Sequence, residues 1–124
     1  MSSPTDSSLE LENSVADWLT LNQASKLLGV SGTRIRHLAR EKEIIAVKTP
    51  SSREVRVPAE CVRDGEILKG LGGTLILLGD SGFDEMEAAA WMYRQDDYLE
   101  GRPIDSLLGN RLKEVRRRIQ MLTF

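Results

Sequence analysis

The sequence predicts a mainly α (α+β) fold: two short helices joined by a tight turn, a small two-stranded hairpin behind them, and a C-terminal helical domain. Three observations carry this prediction. Leu28-Gly29-Val30-Ser31 places a helix stop and a helix start almost back to back. Two alternating runs, Ile45/Val47 and Val55/Val57, flank a turn built on Pro50 and two serines. From residue 84 onward, capping residues and apolar stripes at helical spacing mark further helices.

The first helix starts at Thr20, with Gln23 three residues on completing a capping box. Leu21, Ala24, Leu27 and Leu28 form its apolar stripe, and Gly29 supplies the left-handed stop. Ser31 caps the second helix, expected over residues 32–42. At about 100° per residue, Ile35, Leu38 and Ala39 turn inward, while Thr33, Arg36, His37 and Arg40 turn outward with Arg34 on the flank. Every outward side chain donates a hydrogen bond and none is acidic, because Glu41 and Glu43 come only at the helix end. Arg suits guanine edges, and Thr and His suit bases or phosphates. The bland alternative is a solvated basic face.

The hairpin is expected over residues 44–48 and 55–57, with the turn at 49–54. Lys48, Arg53 and Arg56 cluster around its tip and outer face, with Ser51 and Ser52 in the turn. A basic hairpin after such a helix is a wing, and wings grip phosphates beside the groove that the helix enters. The alternative is a hairpin that only covers the helix pair. The candidate DNA-binding residues are therefore Ser31, Thr33, Arg34, Arg36, His37, Arg40, Lys48, Ser51, Ser52, Arg53 and Arg56.

Residues 18–62 resemble the winged helix-turn-helix of MerR and excisionase proteins. The motif W-L-T-L-N-Q-A-S-K-L-L-G-V-S, then I-I-A-V and R-E-V-R-V-P, carries the likeness. Activators, repressors and excisionases share that fold. No long heptad follows the wing, so the coiled-coil dimer of MerR regulators lacks its helix here.

At 124 residues, 40% apolar and 29% charged, the composition is that of a soluble globular protein, as one domain or two small ones sharing a core. The net charge of −2 conceals a segregation. Residues 1–19 hold four acids and no base; residues 20–60 hold eight Lys/Arg against four Glu; residues 61–124 hold nine against eleven acids. The positive excess thus falls in the head. One cysteine, Cys61, excludes an internal disulfide and suits the cytoplasm, and it reads as a small core residue. The longest apolar run, residues 75–78, is too short for a membrane span. With one His and one Cys in separate elements and no ligand spacing, neither an enzyme, a metal site nor a cofactor is expected.

Residues 1–16 are rich in Ser and acids, with little to bury, and are expected to be a disordered tail before a winged domain at 17–63. They read as a frayed terminus or as a regulatory tail. A short helix from Pro58 closes the winged domain, and the C-terminal helical domain, 64–124, opens on a turn at Asp64-Gly65, a helical piece at 66–71 and a glycine break at 71–73. Residues 74–79 are taken as helix. Asp84 and Glu87 form a second capping box over a helix whose stripe is Met86, Ala89, Ala90 and Tyr93. A short helix at 103–109 and a final one at 111–122 follow, the latter capped by Asn110 with Leu112, Val115, Ile119 and Leu122 inward. Arg111, Lys113, Arg116, Arg117 and Arg118 surround that last stripe, either complementing the helix end and the acidic loops or serving phosphates.

The pattern G-T-L-I-L-L-G-D-S-G-F-D-E-M-E, W-M, D-D-Y-L, G-R-P-I-D-S-L-L and K-E-V-R-R-R-I-Q-M-L is similar to the C-terminal domain of a small actinobacterial DNA-binding protein family. There a winged helix precedes this domain, and one mycobacterial member is a substrate of a Ser/Thr protein kinase. The resemblance implies cytoplasmic binding of double-stranded DNA, transcription regulation or nucleoid association, and a Ser/Thr kinase as partner, with Thr5 in S-P-T-D-S nearest to a phosphoacceptor. The G-R-P-I-D-S-L segment is also similar to the helical domain of certain antitoxins, which implies the alternative of a protein partner for the C-terminal half.

Overall fold

The computed structural model describes residues 3–122, with side chains from Ser7 onward. The elements run α1 (Ser3–Ser14), β1 (Trp18–Thr20), α2 (Leu21–Leu28), α3 (Gly32–Arg40), β2 (Arg56–Pro58), a 3-10 turn at Ala59–Cys61, β3 (Val62–Arg63), β4 (Glu66–Ile67), α4 (Leu71–Asp80), α5 (Glu85–Tyr93), α6 (Pro103–Leu108) and α7 (Leu112–Leu122). The architecture is a winged helix-turn-helix followed by a helical half.

Local chemistry sets the helix boundaries of the head. Thr20 Oγ1 accepts from Gln23 N at 3.0 Å, and Gln23 Oε1 accepts from Thr20 N at 2.8 Å, so the expected capping box is formed. Gly29 lies at φ 71°, where a Cβ would be strained, and its N–H returns to Ser25 O. Ser31 Oγ accepts from Arg34 N at 3.0 Å. Ala24, Ile35, Leu38 and Ala39 are buried as expected; Leu27 is not, being 53% exposed.

The wing is built differently from the expected hairpin. β2 pairs antiparallel with β1, in the register Trp18↔Pro58, Leu19↔Val57 and Thr20↔Arg56. Its other edge meets the chain only at Val47, whose N–H and C=O both bond Arg56. Residues 44–48 form no strand, because Ile44, Ile45, Ala46 and Val47 are all buried in succession and cannot alternate between a core face and a wet face. The partner strand comes instead from residues 18–20, a run too short to show a period.

The N-terminal segment is the larger correction. Within the stretch 1–16 expected to be a disordered tail, Ser3–Ser14 is helical: α1 packs along α5, with Leu11 fully buried and Val15, just past its end, nearly so. The segment has only these two large apolar groups at the contact, too few to register as a stripe. Two ion pairs add to them. Arg94 Nε and Nη2 hold both Glu10 oxygens at 2.7 and 2.8 Å, and Glu12 reaches the wing. Residues 1–2 and the side chain of Thr5 lie outside the described part of the structure.

In the second half, residues 66–67 form β4, not a helix, pairing with β3 across Asp64-Gly65. Both turn residues have positive φ, 54° and 79°. The glycines at 72 and 73 do not break the chain but lie inside α4, which starts at Leu71. Gly72 packs beside the chain leaving α3, where a Cβ would stand 3.4 Å from Glu43 Cα. Asp84 and Glu87 close the expected capping box of α5 at 2.8 and 2.9 Å. α5 is buried on nearly every side from Ala88 to Tyr93, wider than the expected stripe, because α1, α4 and α6 all pack on it. Asn110 has φ 62° and forms a turn before α7, which begins at Leu112. Buried residues of both halves belong to one apolar cluster.

Two outcomes follow. Leu11→Ala should lower unfolding free energy by about 2–5 kcal/mol in urea titration, the range for a buried leucine, whereas a frayed tail would show no change. Acid should weaken the fold through two carboxylates. The Arg102 guanidinium holds the Asp105 carboxyl below the usual range. Burial pushes the Asp96 carboxyl up, but the Arg118 guanidinium and the Leu99 amide outweigh it and hold it below the usual range. Lowered folded values contribute stability above the unfolded values near pH 4, lost as pH falls through the folded ones. Urea midpoints should therefore fall from pH 5 to pH 3, and Asp96→Asn should flatten that fall.

Candidate nucleic-acid interface

The outward face of α3 is set by its inward one. Burial of Ile35, Leu38 and Ala39 against the core leaves Thr33, Arg34, Arg36, His37 and Arg40 all exposed on the opposite side and flank. Neither α2 nor α3 carries an acid in its first turn. The positive ends of both helix dipoles are thus uncompensated by local carboxylates.

The wing brings part of its charge to the same place. Arg36 of α3, Asn22 of α2, and Lys48 and Arg53 of the wing line one concave groove, in which Glu54 is the acid. Residues seventeen apart in sequence, Arg36 and Arg53, therefore converge on a single wall. Asn22 was not anticipated. The residue after a helix start is polar in most proteins, so only the groove singles it out.

Two expected wing contacts, Arg56 and Ser52, have side chains otherwise engaged, and a third, Ser51, is held through its backbone. Arg56 turns away from the tip: its Nη2 donates to Thr49 Oγ1 at 2.5 Å, lies 3.5 Å from Glu12 Oε2, and its guanidinium sits 4.8 Å over the Trp18 ring. Ser52 Oγ accepts from Glu54 N and donates to Glu54 O, which makes it a turn former. The Ser51 N–H donates to Glu12 Oε1 at 3.2 Å. Ser31 is exposed but its Oγ serves as a helix cap. No sequence signal announces Glu12 as a wing partner, because the contact spans 39 residues and depends on where α1 docks.

The remaining reactive groups serve the interior. Burial pushes the Cys61 thiol up to about 12, so it stays protonated and packs as a small apolar residue. Among the described residues no cluster of His, Cys, Asp and Glu has the makings of a metal site. No helix there is long and apolar enough to cross a membrane.

Comparison with known proteins agrees with this geometry. A family model described as "DNA-binding protein Rv2175c, wHTH domain" matches residues 8–68, and one described as "Rv2175c C-terminal domain of unknown function" matches residues 68–123. The curated "DNA-binding protein Rv2175c" of Mycobacterium tuberculosis (strain ATCC 25618 / H37Rv) is 27% identical over 117 residues, covering 84% of this chain and 79% of that protein. The NMR structure of Rv2175c superposes with a TM-score of 0.75 at 26% identity, over 87% of this chain and 82% of that one.

The two wing arginines should separate in stability. Arg56→Ala removes a cation–π contact, a half-buried ion pair and a hydrogen bond, and should lower unfolding free energy by about 1–3 kcal/mol. Arg53→Ala, exposed, should stay within about 0.5 kcal/mol in the same urea titration.

Proposed function

The chain belongs to the Rv2175c family, and on that premise we propose that it is a sequence-selective protein of double-stranded DNA, acting as a transcription regulator or nucleoid-associated factor in the cytoplasm. The observation that supports this most is that Arg36, on the acid-free donor face of α3, lines one groove together with Lys48 and Arg53 of the wing. In this reading α3 enters the major groove, and Thr33, Arg36, His37 and Arg40 meet base edges, with Arg34 and Ser31 toward the backbone. Lys48, Arg53 and the Ser51 hydroxyl hold phosphates, Ser52 shapes the tip, and Arg56 orients the wing from within. The printed name of the mycobacterial relative, a DNA-binding protein, supports the same partner.

A Ser/Thr kinase acting at Thr5 belongs to the same reading. A phosphate there would add about −1.5 to −2 charges at the start of α1, the helix whose Glu12 touches the wing.

Fluorescence anisotropy of labelled duplexes, selected from a random pool and titrated at several salt concentrations, tests the reading. Arg36→Ala should weaken binding by about 1–3 kcal/mol and relax sequence preference. Arg53→Ala should weaken it evenly across sequences and lower the salt slope by about 0.9. Parent-like binding by both variants would place the contact elsewhere.

A further inference from the structure

The described cations of α7 fall into two groups. Val115 and Ile119 fix the helix against the core. Arg118 Nε donates to Asp96 Oδ2 at 3.0 Å and its guanidinium lies over the Tyr98 ring. Arg111 pairs with Glu114 at 3.9 Å. Lys113, Arg116 and Arg117, by contrast, are exposed and form no ion pair among the described residues. At 100° per residue these three share the flank opposite Arg118. A helix that needed basic residues only to answer nearby acids would not leave three on one side.

That flank is joined to the end of α3 through the first turn of α4. A Cβ at Gly73 would stand 3.4 Å from Arg116 Nη2, and one at Gly72 the same distance from Glu43 Cα. Consecutive Cα atoms are about 3.8 Å apart, so the Arg116 guanidinium lies within roughly 14 Å of the backbone leaving α3. Gly72, Gly73 and Ile76 bring no charge to the surface between, and Ile76 shares a shallow cleft with Arg40. The same cleft also holds Asp80 at the C-terminal end of α4, with Asp84 and Glu85 just beyond it, so the acid-free part of this surface is the first turn of α4. Glu43, exposed beside Gly72, is the acid at the seam between α3 and α4.

We propose that α7 is a second DNA-contacting element, with Lys113, Arg116 and Arg117 holding backbone phosphates just beyond the C-terminal end of the recognition helix. This rests on the DNA-binding reading above and gives the C-terminal domain a part in it. A single head with one recognition helix contacts few phosphates; three more lengthen its footprint and steepen its salt dependence without reading sequence.

The test uses the full chain and the duplexes selected above. The Lys113→Gln/Arg116→Gln/Arg117→Gln variant should bind on the order of 10-fold or more weakly at about 0.1 M salt, with a salt slope smaller by about 2–3 and an unchanged order of preferred sequences. Circular dichroism should show a parent-like melting curve, the residues being exposed. Should the triple variant not fold, the single Lys113→Gln, Arg116→Gln and Arg117→Gln variants should each lower the slope by about 0.9. A folded variant with the parent's affinity and slope overturns the proposal while leaving the head's role standing. A shifted sequence preference also overturns it, since phosphate contacts carry none. No DNA binding by the parent at low salt would remove both readings together.

Discussion

Four consecutive buried residues, at 44–47, govern the rest of the molecule. They follow α3 after three residues, and Ile44 and Ile45 lie in the cavity lining shared with Leu75 and Ala88 of the helical half. A chain of this size buries too little surface to sustain two independent cores. Passing this run through the middle gives both halves one continuous apolar cluster. Of this run only Val47 bonds β2, and the wing takes its second strand from residues 18–20. The orientation of α3 relative to α4 and α7 is thereby a property of the core and not of a linker.

Charge is organised around that frame. Acids engage arginines that have structural work: Glu10 with Arg94, Glu12 with Arg56, Asp96 with Arg118, and Asp105 and Glu60 with Arg102. Exposed pairs of this kind contribute from nothing to about 1 kcal/mol each, so their larger effect is on where charge remains uncommitted. Arg56 shows the distinction well. It sits in the most basic stretch of the chain, yet it faces α1 and the Trp18 ring, while Lys48 and Arg53 of the same wing face the groove. A near-neutral protein is thus able to offer a polyanion an acid-poor surface, because attraction follows local distribution and not the sum.

The N-terminal helix connects these two themes. Among the described residues its buried apolar groups are Leu11 and, just past its end, Val15, while its carboxylates reach both the end of α5 and the tip of the wing. The wing is consequently held from behind by an acidic helix and approached from the front by whatever fills the groove. A change in how α1 docks therefore reaches the Ser51 amide and the Arg56 guanidinium directly.

What the sequence determined by itself is what depends on neighbours a few residues apart. The capping boxes at Thr20/Gln23 and Asp84/Glu87, the left-handed stop at Gly29, the cap at Ser31 and the inward set Ile35, Leu38 and Ala39 all follow from local hydrogen bonding and the helical repeat. The outward face of α3 follows from the same repeat. Tertiary structure alone decided the rest. Residues 18–20 became a strand because β2 offered an edge. Residues 3–14 became a docked helix because α5 had a side to cover. Arg56 is drawn to α1 because a carboxylate 44 positions away and an indole ring meet it there, and no local pattern encodes a meeting at that separation.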